Sequence, residues 1–486
     1  MQVKPLFLLF FFLAAVSLYV LGNSSLPLID RDEPRFAEAS REMRQNGDFL
    51  LPRLNGDYRF DKPPLIYWSQ AASYNLFGEN DFAARLPSAI FAALTAVATL
   101  VFGTRISGWR AGLWAGLIFA TCLQVFIHAR AAVADMPLLL FFLGATWAGW
   151  ERVRTPSSKL WWWIFYLSLG LGFLAKGPIA LLPILFTPVH SMLCRSPFRF
   201  NFVSALLGLL VVLAVVGSWG IPAILATHGE YVRVGLGKHV LQRSIQPMES
   251  HGGPGVLGYA LFLPFYFITL FFSFFPWCIF LPACAKELWP QRDSDENYLI
   301  GVVLLVFAVF TLIQTKLPHY VLPAYPALAI LVARKTQNVG WKPFILAATL
   351  VVQILIATIG FRLIEPSFLS KEIAQETLPL VSADTRTGSV HYDEQSLIWY
   401  LRAKVKPYHV RLEPKDFTDF MKMPGPALCV INPQGLSSFA IEPGWRVFRN
   451  SGYNFARWKA TPTQLFGLHV LVPLPDALEL TTVIKQ

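Results

Sequence analysis

The sequence predicts a polytopic α-helical membrane protein carrying a small α/β domain at its carboxy-terminal end. Three observations point there. Of its 486 residues, 54% are hydrophobic, with 40 Phe and 15 Trp, and only 15% are charged, against about 25% charged in soluble globular chains. Apolar runs long enough to approach or cross a bilayer recur from the amino terminus to about residue 364. Beyond that point the polarity returns to that of a soluble domain. The expected division is therefore 1–364 in the membrane, including a charged loop at 23–85, and 365–486 outside it.

The apolar runs fall at 5–21, 86–102, 111–128, 132–150, 160–175, 179–193, 202–226, 256–283, 298–313, 320–333 and 343–363. Short pieces between 160 and 193 could be re-entrant, so about 11 to 13 spans are expected. Lys4 and the apolar segment behind it have the form of a signal peptide. Leu21-Gly22-Asn23 offers no small-residue cleavage site, so an uncleaved anchor with its amino terminus inside is expected. Alternation then puts five loops inside, with Arg105 and Arg110; Arg152, Arg154 and Lys159; Arg195 and Arg199; Lys286 and Arg292; and Arg334, Lys335 and Lys342. These loops are short and mostly basic, as the positive-inside rule asks. The outer side receives the 23–85 loop, the turn from His128 to Asp135, the Lys176-Gly177-Pro178 turn, the 228–255 loop, the Lys316–Tyr320 turn and the tail.

The loop after the first run is the most charged stretch in the chain. Asp30, Asp32, Glu33, Arg35, Glu38, Arg41, Glu42, Arg44, Asp61 and Lys62 crowd into it, and charge held beside lipid costs too much to be incidental. Asp32 and Glu33 ahead of Pro34 suit a first helical turn, where carboxylates complement the dipole. Phe36, Ala39, Ser40 and Met43 then form the softer face; Arg35, Glu38 and Glu42 form a polar one, and Asn46-Gly47 supplies the stop. Asp61-Lys62-Pro63-Pro64 repeats the device ahead of Leu65, Trp68, Ala72 and Leu76, with aromatic rings suited to the headgroup layer. A merely solvated loop with interfacial helices would fit the same spacing.

Several classes are excluded. The five cysteines, Cys122, Cys194, Cys278, Cys284 and Cys429, have no metal-ligand spacing and form no disulfide framework. The +11 formal charge is spread over loops and suits anionic membrane lipids, not nucleic acid. There is no P-loop and no dinucleotide fingerprint. In the tail, 427–431 and 445–448 read as strands and 394–402 as a helix.

The alternation gathers ionisable residues on the outer face: Asp32, Arg35, Asp61 and Lys62, then Arg130 and Asp135, Lys176, His239 and Arg243, and Lys316, His319 and Tyr320. Cations hold phosphate, while carboxylates accept sugar hydroxyls or a metal. Plainer roles exist for some. Asp135 would also cap a helix ahead of Met136-Pro137, Lys176 and Lys316 would also snorkel at helix ends, and a lone His239 would also serve structure.

At this point the residues resemble a family. Asp32-Glu-Pro-Arg35, Ala37-Glu38, Arg41-Glu42-Met43, Gly47-Asp48, Pro52-Arg53-Leu54-Asn55-Gly56 and Phe60-Asp61-Lys62-Pro63-Pro64-Leu65 with Trp68 look like the first periplasmic loop of the bacterial lipid A aminoarabinose transferases. These stand with the protein mannosyltransferases among the GT-C glycosyltransferases. The likeness continues through Arg130–Asp135, Ala175–Pro178, Lys238–Arg243 and Lys316–Pro326. It implies a GT-C type membrane fold in the bacterial inner membrane with its active site facing the periplasm. The implied partners are a polyprenyl-phosphate-linked sugar donor and, as acceptor, lipid A or another envelope glycan or protein. By position, Asp32 looks like the acidic residue at the reaction centre, Arg35 its orienting partner and Asp135 its carboxylate neighbour. Lys62, Arg243 and Tyr320 look like the grip on the donor phosphate, with Lys176 and His319 as further substrate or metal contacts. The family's metal contact beside Lys-Pro-Pro is an Asp here, Asp61, and His239 could join it on a divalent metal ion. Protein O-glycosylation or glycan ligation on the same fold is the alternative. A lipid-linked sugar flippase is less favoured, because its polar residues would lie near the midplane on broken helices.

Overall fold

The computed structural model describes residues 3–193, 201–242, 255–432, 441–465 and 468–485. Every apolar run of the sequence is helical, whole or in pieces. Among the described residues, four helices are long and apolar enough to cross a membrane alone, Asp81–Ser107, Phe202–Ala226, Ser294–Leu312 and the continuous stretch Lys342–Ser367; two bent pairs raise this to six. The others are shorter or less apolar. Phe202–Ala226 and Lys342–Ser367 turn most of their apolar side chains outward, a surface that water cannot cover and lipid can. The chain is thus a multi-pass membrane protein with a separate sheet-bearing part.

The compact units do not follow a single cut at 364. The first comprises Met1–Leu21, Arg59–Ser69 and Arg85–Ile354, and the second Gly22–Tyr58, Gln70–Ala84 and Leu355–Gln486. Most of the charged opening loop therefore groups with the tail.

In the first unit a continuous core runs from Phe11 and Tyr19 through Phe102, Phe119, Phe142, Trp277 and Tyr325. Where its helices break, the freed backbone groups find partners. Helices Trp109–Thr121 and Leu123–Ala129 meet at 63°. Leu123 N donates to Phe275 O at 2.8 Å, the Thr121 carbonyl accepts from Gln353 Nε2 at 2.8 Å, and Trp277 Nε1 donates to Thr121 Oγ1 at 3.0 Å. An apolar surrounding requires such satisfaction. Arg105 pairs with Glu151 at 3.1 Å, Arg154 with Asp295, and Arg334 with Glu296 at 3.0 Å. These pairs join helix ends at four of the loops expected inside. Asp135 opens the same helix, Asp135–Arg154, that carries Glu151 near its other end, so about 1.5 Å per residue separates the two polar levels along it.

In the second unit a five-stranded sheet has the order Val410–Leu412, Arg386–Val390, Ala427–Ile431, Leu468–Lys485, Arg446–Leu465. The first three strands run parallel and the last two pair antiparallel. The strand expected at 427–431 is Ala427–Ile431 and is buried throughout, the one expected at 445–448 is the start of Arg446–Leu465, and the expected tail helix is Gln395–Leu401. The helix Asp32–Asn46 begins and ends as its sequence asks, with Asp32 and Glu33 in its first turn and Gly47 at φ 67° behind it.

The polar face of that helix departs from expectation. Glu38, Arg41 and Glu42 are not solvated but fully buried. Arg402 holds Glu38 at 2.7 Å and Glu42 at 2.5 Å, and Arg41 donates to Glu38 at 2.7 Å and to Trp399 O at 2.8 Å. Asp81 accepts from Trp399 Nε1 at 2.9 Å and Tyr400 O–H at 3.0 Å, and Leu28 N donates to Tyr400 at 2.8 Å. The tail helix is thus bonded to the opening loop along its length.

Candidate functional site: an amphipathic cavity in the first unit

A cavity of about 400 Å³ lies within the first unit. Its polar residues are Asp61, Lys62, Asp135, Lys176, His319 and Tyr320. Phe173, Leu182, Trp219, Ile224, Leu236 and Ile313 form an apolar wall.

Local structure explains how each polar residue reaches it. Asp61 and Lys62 precede Pro63-Pro64 and the helix Leu65–Phe77. Asp61 is ion-paired to Arg59 at 3.0 Å, whose Nε also donates to Tyr67 at 3.0 Å. Asp135 is the first residue of Asp135–Arg154, and Lys176 the last of Lys159–Lys176. An anion at a helix start and a cation at a helix end each suit the dipole there. The two side chains meet, Lys176 Nζ to Asp135 Oδ1, at 2.5 Å, and the ammonium lies 5.7 Å from the centre of the Tyr320 ring. His319 and Tyr320 come from the short helix Pro318–Ala324. The helix Val232–Gln242, wound with wide π-type turns, adds Val232, Gly235 and Leu236. A Cβ on Gly235 would lie 3.0 Å from Phe60 O, so its lack of a side chain lets this helix pass close to the strand-like segment before Asp61.

Counting the charges at this polar end, Arg59, Lys62 and Lys176 stand against Asp61 and Asp135. One positive charge remains over. Such a cavity suits an anionic headgroup joined to an apolar chain.

Six of the ten expected site residues therefore share one cavity. Asp32 and Arg35 belong to the second unit. Asp32 is exposed and Arg35 half-buried on the first turn of their helix. Two residues upstream, Asp30 accepts from Ser396 N at 2.9 Å and from its hydroxyl. Burial, aided by Glu394, pushes the Asp30 carboxyl up to about 7 against the bonds from Ser396 and the charge of Arg35. Arg243 lies outside the described residues, and so does the side chain of His239, whose backbone is in Val232–Gln242.

Two further cations expected on the outer face have structural work. Arg130 donates to Leu18 O at 2.9 Å and to Leu21 O, fastening the first helix. Lys316 donates to Phe310 O at 3.0 Å and to Thr311 O and Ile313 O, both at 2.5 Å, closing the end of Ser294–Leu312. One residue absent from the expected set stands beside His319: the His128 ring centre is 4.8 Å from that of His319.

Fold and cavity together define a polytopic membrane protein with an amphipathic cavity. Residues 61–219 match the family described as dolichyl-phosphate-mannose-protein mannosyltransferase. The chain is similar to an undecaprenyl phosphate-alpha-4-amino-4-deoxy-L-arabinose arabinosyl transferase 2 of Sodalis glossinidius, 29% identical over 330 residues, 66% of this chain and 58% of that one. The corresponding transferase of Edwardsiella ictaluri is 30% identical over 313 residues, 63% and 55% of the two chains. The chain thus spans less than two thirds of the length of these relatives. In fold it is similar to the crystal structure of ArnT from Cupriavidus metallidurans bound to undecaprenyl phosphate, with a TM-score of 0.75 at 18% identity over 99% of this chain and 98% of that one. The chain is thus similar in sequence to the aminoarabinose transferases and the protein mannosyltransferases, and in fold to ArnT.

Proposed function

We propose that the protein is an inverting glycosyltransferase that moves a sugar, aminoarabinose-like or hexose, from a polyprenyl-phosphate donor to lipid A or another envelope acceptor at the periplasmic face of the bacterial inner membrane. The observation that carries this reading is the cavity with Lys62, Lys176 and Tyr320 at one end and an apolar wall at the other. A lipid phosphate leaving an anomeric carbon needs its charge neutralised and a nucleophile on the opposite face. Lys62, Arg243 and Tyr320 serve the first need. Asp32 serves the second, as general base toward a hydroxyl acceptor; toward a phosphate acceptor, already ionised, it orients the nucleophile or faces positive charge on the sugar. Single displacement inverts the anomeric centre. The relatives' names, which specify undecaprenyl phosphate and aminoarabinose, support the donor class. The mannosyltransferase family at 61–219 supports a protein hydroxyl as the second acceptor class.

The test is mass analysis of lipid A and of envelope glycans and glycoproteins from cells with and without the gene, together with transfer from a radiolabelled lipid-linked sugar by the purified protein. A gene-dependent added sugar is expected. No gene-dependent sugar on any acceptor and no transfer in vitro would overturn the reading.

For the donor grip, Lys62→Ala removes a charged hydrogen bond worth about 1.5–3 kcal/mol. Affinity for a polyprenyl phosphate should fall by roughly one to two orders of magnitude. Arg243→Ala should do the same. Unchanged binding by both purified variants would remove these residues from the grip.

A further inference from the structure

Two residues that line the cavity, Asp135 and His319, converge with a third side chain bearing a metal-ligating atom, His128. His128 comes from Leu123–Ala129, Asp135 from the first turn of Asp135–Arg154, and His319 from Pro318–Ala324. One ligand atom from each lies within 4.8 Å of the others. We propose that His128, Asp135 and His319 form a binding site for a divalent transition metal, zinc before others.

The chemistry of the three donors selects the ion. Two imidazoles and one carboxylate suit zinc, with tetrahedral geometry and a fourth position left open to an oxygen from outside the set. Calcium and magnesium ask for more oxygen ligands. Metal–ligand bonds of about 2.0–2.1 Å in a tetrahedron place ligand atoms about 3.4 Å apart. His128 also carries the supporting bond expected of a ligand. Its Nδ1 lies 3.2 Å from the Gln124 carbonyl oxygen and 3.0 Å from the Gln124 side-chain amide nitrogen; zinc on Nε2 would select the tautomer that carries its proton on Nδ1 and donates it to that carbonyl. On Asp135, Lys176 engages Oδ1, and a carboxylate has a second oxygen to offer.

This site differs from the pair expected from the family resemblance. Asp61 is engaged by Arg59, and it is Asp135, not Asp61, that stands with two histidines. A zinc ion here would add positive charge beside Lys62 and Tyr320 and present its open position to an oxygen of the lipid phosphate. That role rests on the donor reading above; the binding of zinc does not.

The experiment uses the full-length purified protein, stripped of metal and loaded with zinc. Metal content, calorimetric titration with zinc and zinc-edge X-ray absorption are measured on the same preparation. One zinc per chain with two imidazoles in its coordination shell is expected. His128→Gln and His319→Gln should each weaken binding by more than the about 10–100-fold typical of losing an outer-shell partner. No zinc binding by the parent protein, a single imidazole in the shell, or undiminished binding in both variants would overturn the site. The absorption measurement needs no variant, so a misfolded substitution does not blunt the test. Transfer that proceeds in protein taking up no zinc would sink the site and leave the donor reading standing. Zinc bound as described by a protein that neither binds polyprenyl phosphate nor transfers sugar would do the reverse.

Discussion

Asp32→Asn is expected to lower sugar transfer by about two orders of magnitude or more, the scale general acid–base catalysis contributes, while the protein still inserts, folds and binds polyprenyl phosphate. Asn keeps the size of the side chain and one acceptor oxygen but removes the charge that takes a proton. Asp32 is exposed, and its loss leaves Glu33 in the same turn, so the helix keeps a first-turn carboxylate. The dipole interaction forgone is only about 0.3–1 kcal/mol. Nor is Asp32 the cap of its helix: Arg31 occupies that position and makes no side-chain cap bond. Turnover of a radiolabelled lipid-linked sugar and donor binding on the same preparation make the measurement. Near wild-type turnover would remove Asp32 from the reaction.

The second large effect falls on stability. Arg402→Ala withdraws the guanidinium that meets Glu38 and Glu42, both fully buried. Burial already pushes the Glu38 carboxyl up to about 7 in spite of Arg41 and Arg402. Without Arg402 its charged form is costlier still. Glu42 keeps the bonds from Asn55 N at 2.6 Å and Gly56 N at 3.0 Å but loses its nearest cation. Breaking one partner out of a buried ion network costs about 3–5 kcal/mol, and for a unit of this size the melting midpoint should fall by roughly 10 °C. Arg402→Lys should recover part of the loss, because a point charge cannot reproduce the forked donor set. A midpoint for Arg402→Ala within a degree or two of the parent would mean the pairs contribute little.

How much of this was legible in the chain depends on how local the cause is. The helix Asp32–Asn46 could be read because its start, its stop and its softer face are written in neighbouring residues. Strand Ala427–Ile431 and helix Phe202–Ala226 were legible for the same reason, being short apolar patterns with clear ends. The burial of Glu38 and Glu42 was not, because their partner lies 364 and 360 residues away and nothing near them signals it. The break after Thr121 is equally silent, since the group that satisfies its carbonyl is Gln353, 232 residues on. In the cavity, Asp61, Lys62, Asp135, Lys176, His319 and Tyr320 were found because alternation of the spans and a family resemblance agreed on them. His128 was passed over. A histidine seven positions before Asp135 is no motif by itself, and only folding brings His319 beside it.

The distance in sequence between Arg402 and the carboxylates it holds also orders events during biosynthesis. The opening loop is among the first parts translated. At about 5–20 residues per second, the residues between Glu38 and Arg402 take on the order of 20–70 s to follow. Through that interval Glu38 and Glu42 have only the loop's own donors and water, without Arg402, and the loop cannot settle into its final form. A nascent chain released early would keep it that way, with exposed backbone open to proteases. Synthesis of the segment that carries Arg402 thus licenses the charged loop made before it, and a polypeptide truncated ahead of Arg402 would expose that loop to removal.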